Sequence, residues 1–179
     1  MKWSLLLSLL FFVPTNAVAY VVGIIPPEGG RVADTSVRHV YFGELKDESG
    51  VVRLSLPEGG NLNLFLLTPT ATAPNSRYDA VIVSESRGEV TAILESGGLT
   101  WELYHDAYIA EDFLKGPELS KVVPPGDYRI VINNPGNQGK FGIVIGSAER
   151  FSISDYYALY KLGPTLKRDF FGIKFQYNY

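Results

Sequence analysis

Acidic and imidazole side chains are concentrated in one segment of the chain, from His105 to Glu118. Asp106, Glu111 and Asp112 supply carboxylate oxygens, which are the hard ligands that Ca²⁺ prefers. Backbone carbonyls of an irregular loop could complete a shell of about six to eight oxygens, although the spacing differs from that of an EF-hand. We therefore expect an acidic loop over 105–118, which either holds a structural Ca²⁺ or is simply solvated. No other cofactor is expected.

The same segment offers a second chemistry, because His105 and Asp106 are neighbours in the chain. A His–Asp pair activates a serine hydroxyl in hydrolases, and serines are available elsewhere in the sequence. The sequence contains no Gly-x-Ser-x-Gly elbow, no His-Glu-x-x-His motif, no P-loop and no dinucleotide fingerprint. These absences favour a protein that is not an enzyme and leave hydrolysis at His105 and Asp106 as an alternative.

Three aromatic residues, Trp101, Tyr104 and Tyr108, lie in and beside the acidic segment. Exposed tyrosine and tryptophan rings on secreted β proteins stack on the apolar faces of sugar rings. We therefore predict that these three residues form a ligand-binding platform, with a carbohydrate or an envelope protein as the partner. The alternative is that they pack on the sheet, because tyrosine suits a half-buried pleated surface.

The elements that position these residues are predicted to be short strands. Strand-like runs separated by Gly and Pro turn signals occur at 36–45, 51–56, 61–67, 78–86, 90–95, 99–105, 128–133 and 141–146. Helical periodicity is almost absent between them. This pattern indicates an all-β domain over residues 20–150, an antiparallel β-sandwich of jelly-roll type with about eight strands.

The most regular strand pattern surrounds a turn rich in Asn, Pro and Gly. Large apolar side chains alternate with polar or smaller residues on both sides of this turn: Tyr128, Ile130, Ile132, Phe141, Ile143 and Ile145. The alternation predicts a β-hairpin with one face in a hydrophobic core.

Residues 151–179 are predicted to form a short helix and an extended aromatic tail that pack on or flank the sandwich. The helix is expected to end at Leu162-Gly163-Pro164, and its tyrosines 156, 157 and 160 are expected to pack on the sheet. Phe171 to Tyr179 alternates strictly and ends on an aromatic residue. That segment resembles the terminal strand of bacterial outer-membrane barrels, so a small outer-membrane β-barrel protein is a second alternative.

The first nineteen residues have the pattern of a signal peptide. Lys2 precedes an apolar run from Leu5 to Val13, and Ala17-Val18-Ala19 is a small-x-small cleavage pattern. The run is shorter than the roughly 20 residues that a membrane span needs. We expect residues 1–19 to be removed, no transmembrane helix afterwards, and an extracytoplasmic location, either periplasmic or secreted. An uncleaved anchor is the alternative.

The amino-acid composition excludes some classes of partner and binding site. The chain has a formal net charge of −3, so no overall basic field would attract nucleic acid. It has no cysteine, which excludes disulfides and thiolate metal sites. Export without disulfides fits a bacterial envelope or medium better than a eukaryotic secretory pathway.

The segment Pro125 to Phe151 resembles a pattern in exported bacterial β-sandwich proteins, a largely uncharacterised group. In that pattern Gly-x-Tyr opens a strand, an Asn/Pro/Gly turn follows, and Gly-Lys-Phe opens a second strand that runs into Gly-x-x-Glu, here Gly146 to Glu149. More distantly, the segment is similar to the bacterial pre-peptidase C-terminal domain, a jelly-roll accessory module of secreted hydrolases. The resemblance implies a sandwich fold and assigns no reaction. We therefore expect an exported, non-catalytic binding or accessory module.

Overall fold

The computed structural model describes residues 21–26, 28–32, 35–98, 100–148 and 153–172. The predicted signal peptide, residues 1–19, and residues 173–179 of the predicted aromatic tail lie outside the described residues. The described part contains the strands β1 (Val21–Ile24), β2 (Gly30–Val32), β3 (His39–Lys46), β4 (Gly50–Leu56), β5 (Gly60–Pro69), β6 (Asp79–Ser84), β7 (Val90–Leu94), β8 (Glu102–Asp106), β9 (Glu111–Val123), β10 (Gly126–Asn133) and β11 (Gln138–Ile145). A helix, α1 (Ile153–Thr165), and a π-helical turn (Leu166–Phe170) follow.

These strands form two sheets that pack face to face. One has six strands in the order β1-β3-β11-β5-β9-β8, and the other has five in the order β2-β4-β10-β6-β7. The predicted β-sandwich is therefore confirmed. The sheets are mixed rather than purely antiparallel, because β1 pairs with β3 and β2 pairs with β4 in parallel. The described strands thus form two sheets around a filled core, which does not match the single closed sheet of the outer-membrane barrel that the sequence left as an alternative.

The predicted hairpin at the Asn/Pro/Gly turn is wrong, although its buried face is confirmed. β10 pairs with β4 and β6, whereas β11 pairs with β3 and β5, so the two strands lie in different sheets. All six alternating side chains, from Tyr128 to Ile145, are fully buried and face one another across the sandwich. Alternation shows which side of a strand is buried. It looks the same whether the next strand in the sequence pairs with that strand in one sheet or packs against it from the other sheet.

The inter-sheet core is formed by the inward side chains of both sheets, including Leu54, Leu64, Tyr128 and Phe141. Each fully buried side chain of this size stabilises the fold by about 1.5–3 kcal/mol. The Tyr128 hydroxyl donates to the Pro124 carbonyl at 2.6 Å, so its polar atom is satisfied inside the sandwich.

A second apolar layer covers the outer face of the six-stranded sheet. It consists of Val40, Phe42, Phe65, Leu67, Ile109, Phe113, Val144, Leu166, Phe170 and Phe171. The Phe42 ring lies 5.7, 5.3 and 5.4 Å from the rings of Phe113, Phe170 and Phe171, measured between centroids. The C-terminal segment is therefore fixed to the sandwich by this outer apolar layer. Phe171 is buried in it and does not begin the predicted extended strand.

The helix α1 runs past Gly163 and Pro164, so its predicted end at Leu162-Gly163-Pro164 is wrong. Proline has no N–H to donate to the carbonyl of Tyr160, and its ring crowds that carbonyl. The chain continues by widening into the π-helical turn, where the Phe171 N–H donates to the Leu166 carbonyl at 2.8 Å. In the described residues, no helix combines the length and the apolar character that crossing a bilayer requires.

The tyrosines of α1 do not pack on the sheet as expected. Tyr156, Tyr157 and Tyr160 are 61%, 60% and 79% exposed. Leu159 and Leu162 contact the outer apolar layer instead. The helix thus turns its leucines to the protein and its tyrosines to solvent.

Candidate functional site

The segment expected to be an acidic loop is a β-hairpin. β8 and β9 pair antiparallel, with His105 opposite Asp112 and Asp106 opposite Glu111, and residues 107–110 form the turn. The Asp106 carboxylate is buried and accepts the N–H groups of Tyr108 at 3.0 Å and Ile109 at 3.1 Å. The turn contains no Gly, Pro or Asn, the residues that usually form turns. The hydrogen bonds that stabilise it come from the Asp106 side chain instead.

The predicted pairing of His105 with Asp106 is wrong. Neighbouring residues of a strand point to opposite faces, so the imidazole and this carboxylate are on different sides of β8. His105 instead pairs across the hairpin with Asp112, at 2.7 Å between Nδ1 and Oδ1, and both side chains are exposed. Within the described residues His105 makes no hydrogen bond to a serine or threonine hydroxyl.

The three predicted calcium ligands have separate protein partners. Asp106 caps the turn, Asp112 binds His105, and the Glu111 carboxylate lies 3.4 Å from the Lys167 ammonium. Over the described ranges, no three His, Asp or Glu side chains are grouped so that they could hold a metal ion. The calcium site stays a prediction, to be tested by adding and removing the ion.

The three predicted platform residues do not share one face. Trp101 is buried in the inter-sheet core, where its ring lies against Gly116 and under the Arg77 guanidinium, 5.1 Å from the ring centroid. Tyr104 is half-buried beside the outer apolar layer, edge-on to the Phe65 ring at 6.1 Å. Burial raises the pKa of the Tyr104 phenol, and the nearby Asp106 carboxylate raises it further. Of the three, Tyr108 is the one that presents its ring to solvent, at 39% exposure.

Tyr108 lies instead with two tyrosines of α1 around a groove of about 530 Å³. The groove runs between the β8–β9 turn and α1, with Tyr156 and Tyr160 on the helix side. Its apolar part is lined by the buried Ile109 and Leu166. We call this feature the tyrosine groove.

Two further residues shape the tyrosine groove. Gly163 is on its helix wall, and a Cβ built at that position would meet no atom within 4 Å, so the space there is open. Lys167 also lines the groove and is ion-paired with Glu111, and both of these side chains are largely covered. The Lys167 ammonium therefore supplies a hydrogen-bond donor beside a mostly apolar and aromatic wall.

The sequence contains a helical spacing that indicates the residues of this groove. Tyr156, Tyr160 and Gly163 follow the i, i+4, i+7 spacing of one helix face. Leu159, Leu162 and Leu166 follow the same kind of spacing, and they are the residues turned to the protein. The short helix therefore has a tyrosine face and a leucine face, and either could be the buried one. The leucine face is the one expected to be buried, because exposing leucine to water costs more free energy than exposing tyrosine.

No family model matches this chain, and no curated protein matches it. Among solved structures, it is similar to the pre-peptidase C-terminal domain of a collagenase from Bacillus anthracis, with 16% identity, 68% of this chain and 95% of that chain covered, and a TM-score of 0.43. It is also similar to part of a β-glucosidase from Paenibacillus barengoltzii, with 14% identity, 69% of this chain and 11% of that chain covered, and a TM-score of 0.30. The resemblance to the pre-peptidase C-terminal domain is confirmed as a distant likeness.

Proposed function

We propose that this protein is a non-catalytic binding module that acts outside the cytoplasm and holds a saccharide in the tyrosine groove. The observation that supports this proposal is the exposure of three phenol rings around one apolar groove, with Tyr108 on the β8–β9 turn and Tyr156 and Tyr160 on α1.

Aromatic rings that flank a groove suit the ring of a sugar. A pyranose has apolar C–H faces, which stack on a phenol, and hydroxyl edges, which need hydrogen bonds. In the tyrosine groove the stacking surfaces are Tyr108, Tyr156 and Tyr160, and the polar partners are their hydroxyls and Lys167. The Lys167–Glu111 contact orders the ammonium before a ligand arrives, which lowers the entropic cost of binding.

The lining of the groove supports binding without cleavage. Hydrolysis of a glycosidic bond generally uses a pair of carboxylates on either side of the scissile bond. None of the described residues that line the tyrosine groove is an aspartate or a glutamate. This lining favours the binding of a saccharide over its cleavage.

An extracytoplasmic location is the part of the proposal that rests on residues 1–19 alone. The short positive start, the apolar run and Ala17-Val18-Ala19 support cleavage before Tyr20. Mass spectrometry of the protein recovered from the periplasm or medium of a bacterial host tests it. We expect a chain that begins at Tyr20, and a full-length chain retained in the cytoplasm would contradict it.

An array of neutral oligosaccharides, followed by calorimetry with the best-bound one, tests the saccharide. Tyr108→Ala and Tyr160→Ala should each weaken binding by about tenfold, because each removes one stacking surface. Tyr157→Ala is the matched control, since Tyr157 is also exposed on α1, packs under Lys161 at 4.5 Å and lies outside the groove.

A blocking variant separates the groove from the rest of the helix surface. Gly163→Leu adds a side chain where a Cβ meets no atom, so it should fill the groove and leave the fold intact. We expect unchanged melting and lost binding. Full binding by Gly163→Leu, equal losses in Tyr157→Ala and Tyr160→Ala, or no bound oligosaccharide on the array would each reject the proposed site.

A further inference from the structure

Three arginines lie side by side on the outer face of the five-stranded sheet. Arg31 on β2 is in register with Arg53 on β4, and Arg53 is in register with Arg129 on β10. Neighbouring strands are about 4.8 Å apart, so the row is about 10 Å long. We call it the arginine row. The helix α1 covers the other sheet, so the arginine row and the tyrosine groove are on opposite sides of the sandwich.

Most of the charge in this row is not neutralised by the protein. The Arg53 Nε lies 3.4 Å from a Glu85 carboxylate oxygen, and one Arg53 nitrogen donates to the Glu28 carbonyl at 3.4 Å. Within the described residues, neither Arg31 nor Arg129 has a carboxylate within 4.0 Å. Like charges placed directly opposite across strands destabilise a sheet. The protein thus keeps an unfavourable arrangement on a chain whose net charge is −3.

The rows on either side of the arginines differ in character. One neighbouring row is aliphatic and runs through Val51, Val131, Val81 and Ile93. The other contains Ser55, Asp127 and Glu85, the last two joined by the bond from the Glu85 N–H to the Asp127 carbonyl. A positive line is therefore bordered by an apolar line on one side and by acids on the other.

We propose that the arginine row binds a linear anionic polysaccharide, one that carries carboxylate or sulfate groups along its length. The guanidinium fork matches both groups, and arginines one strand apart would hold successive anionic groups of a polymer lying across the strands. The apolar faces of its sugar rings would lie on the row from Val51 to Ile93. This site does not depend on the tyrosine groove.

The same surface argues against the other polyanions. A flat anionic bilayer would cover all three rows at once and meet the carboxylates of Asp127 and Glu85, whereas a narrow polymer avoids them. Nucleic acid single strands are held largely by bases stacked on aromatic rings. The arginine row and its two neighbouring rows contain no aromatic residue.

Binding to polygalacturonate and dextran sulfate, with neutral dextran as the uncharged probe, tests the ligand. We expect the anionic polymers to bind and neutral dextran not to bind. Arg31→Gln and Arg129→Gln should each weaken binding by about tenfold, because each removes one charge-assisted contact. The control is Arg87→Gln, since Arg87 is also exposed but lies outside the row and near Glu89 at 3.6 Å. An equal loss with Arg87→Gln, or tighter binding to anionic vesicles or single-stranded DNA, would overturn the proposal.

Melting temperatures measured without polymer provide a second test. This test distinguishes arginines that bind a ligand from arginines that stabilise the sheet. Arg129→Gln removes one like-charge neighbour, so we expect the melting temperature to rise by about 1–4 °C. Saturating polygalacturonate should then raise the melting temperature of the unsubstituted protein more than that of Arg129→Gln. A lower melting temperature for Arg129→Gln would mean that the arginines stabilise the sheet by themselves, and would contradict a ligand-binding role.

Discussion

Replacing Asp106 by alanine is expected to destabilise the turn between β8 and β9. Its buried carboxylate accepts N–H groups from Tyr108 at 3.0 Å and Ile109 at 3.1 Å. A buried N–H without a partner costs about 1–3 kcal/mol. Ile109 is buried and would lose its partner fully, whereas Tyr108 is exposed and water can replace part of its bond. We expect a loss of about 3 kcal/mol in the free energy of unfolding, which is about 6–12 °C in melting temperature.

Urea unfolding followed by the fluorescence of Trp101 measures this loss, because that ring is buried against Gly116 of β9. Asp106→Asn is the matched control, since it keeps an oxygen acceptor in the same place and should lose only about 1 kcal/mol. A change below about 0.5 kcal/mol in Asp106→Ala would refute the capping role. If Asp106→Asn were as unstable as Asp106→Ala, the negative charge would be what matters, as it would be for a metal ligand.

Three other predictions concern stability. Gly163→Ala should raise the free energy of unfolding by about 0.5–1 kcal/mol in a urea titration, because a Cβ there meets no atom and alanine favours the helix; destabilisation would mean that the position is crowded. Burial raises the pKa of Tyr41, Tyr78 and Tyr104, so the unfolded chain loses these protons first and the free energy of unfolding should fall as the pH rises above about 10. Urea titrations at several alkaline pH values check this, and a flat profile would contradict it. Excess chelator should leave the melting temperature unchanged, because the three carboxylates predicted to bind calcium each contact another protein group; a lower melting temperature with chelator would support the calcium prediction.

The sandwich and its buried rows could be predicted from sequence, because burial on one face imposes a local period of two. The partners of the strands could not. Tyr128 and Phe141 lie on strands joined by a short turn, yet each strand pairs with others far away in the chain. Strand pairing depends on packing between distant parts of the chain, and the alternation of apolar residues carries no information about it. The hairpin between Asp106 and Glu111 was missed for another reason, since its turn is built by a side chain and not by Gly or Pro.

The candidate site was predicted only in part. Of the predicted platform residues, Tyr108 lies on an exposed surface, whereas Trp101 is buried in the inter-sheet core, where Gly116 leaves room for its ring. The helix end was misplaced because Pro164 normally stops a helix, and here the chain continues through a π-helical turn. That continuation brings Lys167 to the groove, at the i+11 position of the helix face that carries Tyr156, Tyr160 and Gly163.

The most direct test of saccharide binding in the tyrosine groove is an NMR titration of protein with labelled tyrosine rings. The ligand is the neutral oligosaccharide that binds best on the array. We expect the ring signals of Tyr108, Tyr156 and Tyr160 to shift together with one dissociation constant, while the signal of Tyr157 stays in place. Shifts at Tyr157 alone, or unchanged ring signals at saturating ligand, would contradict the account.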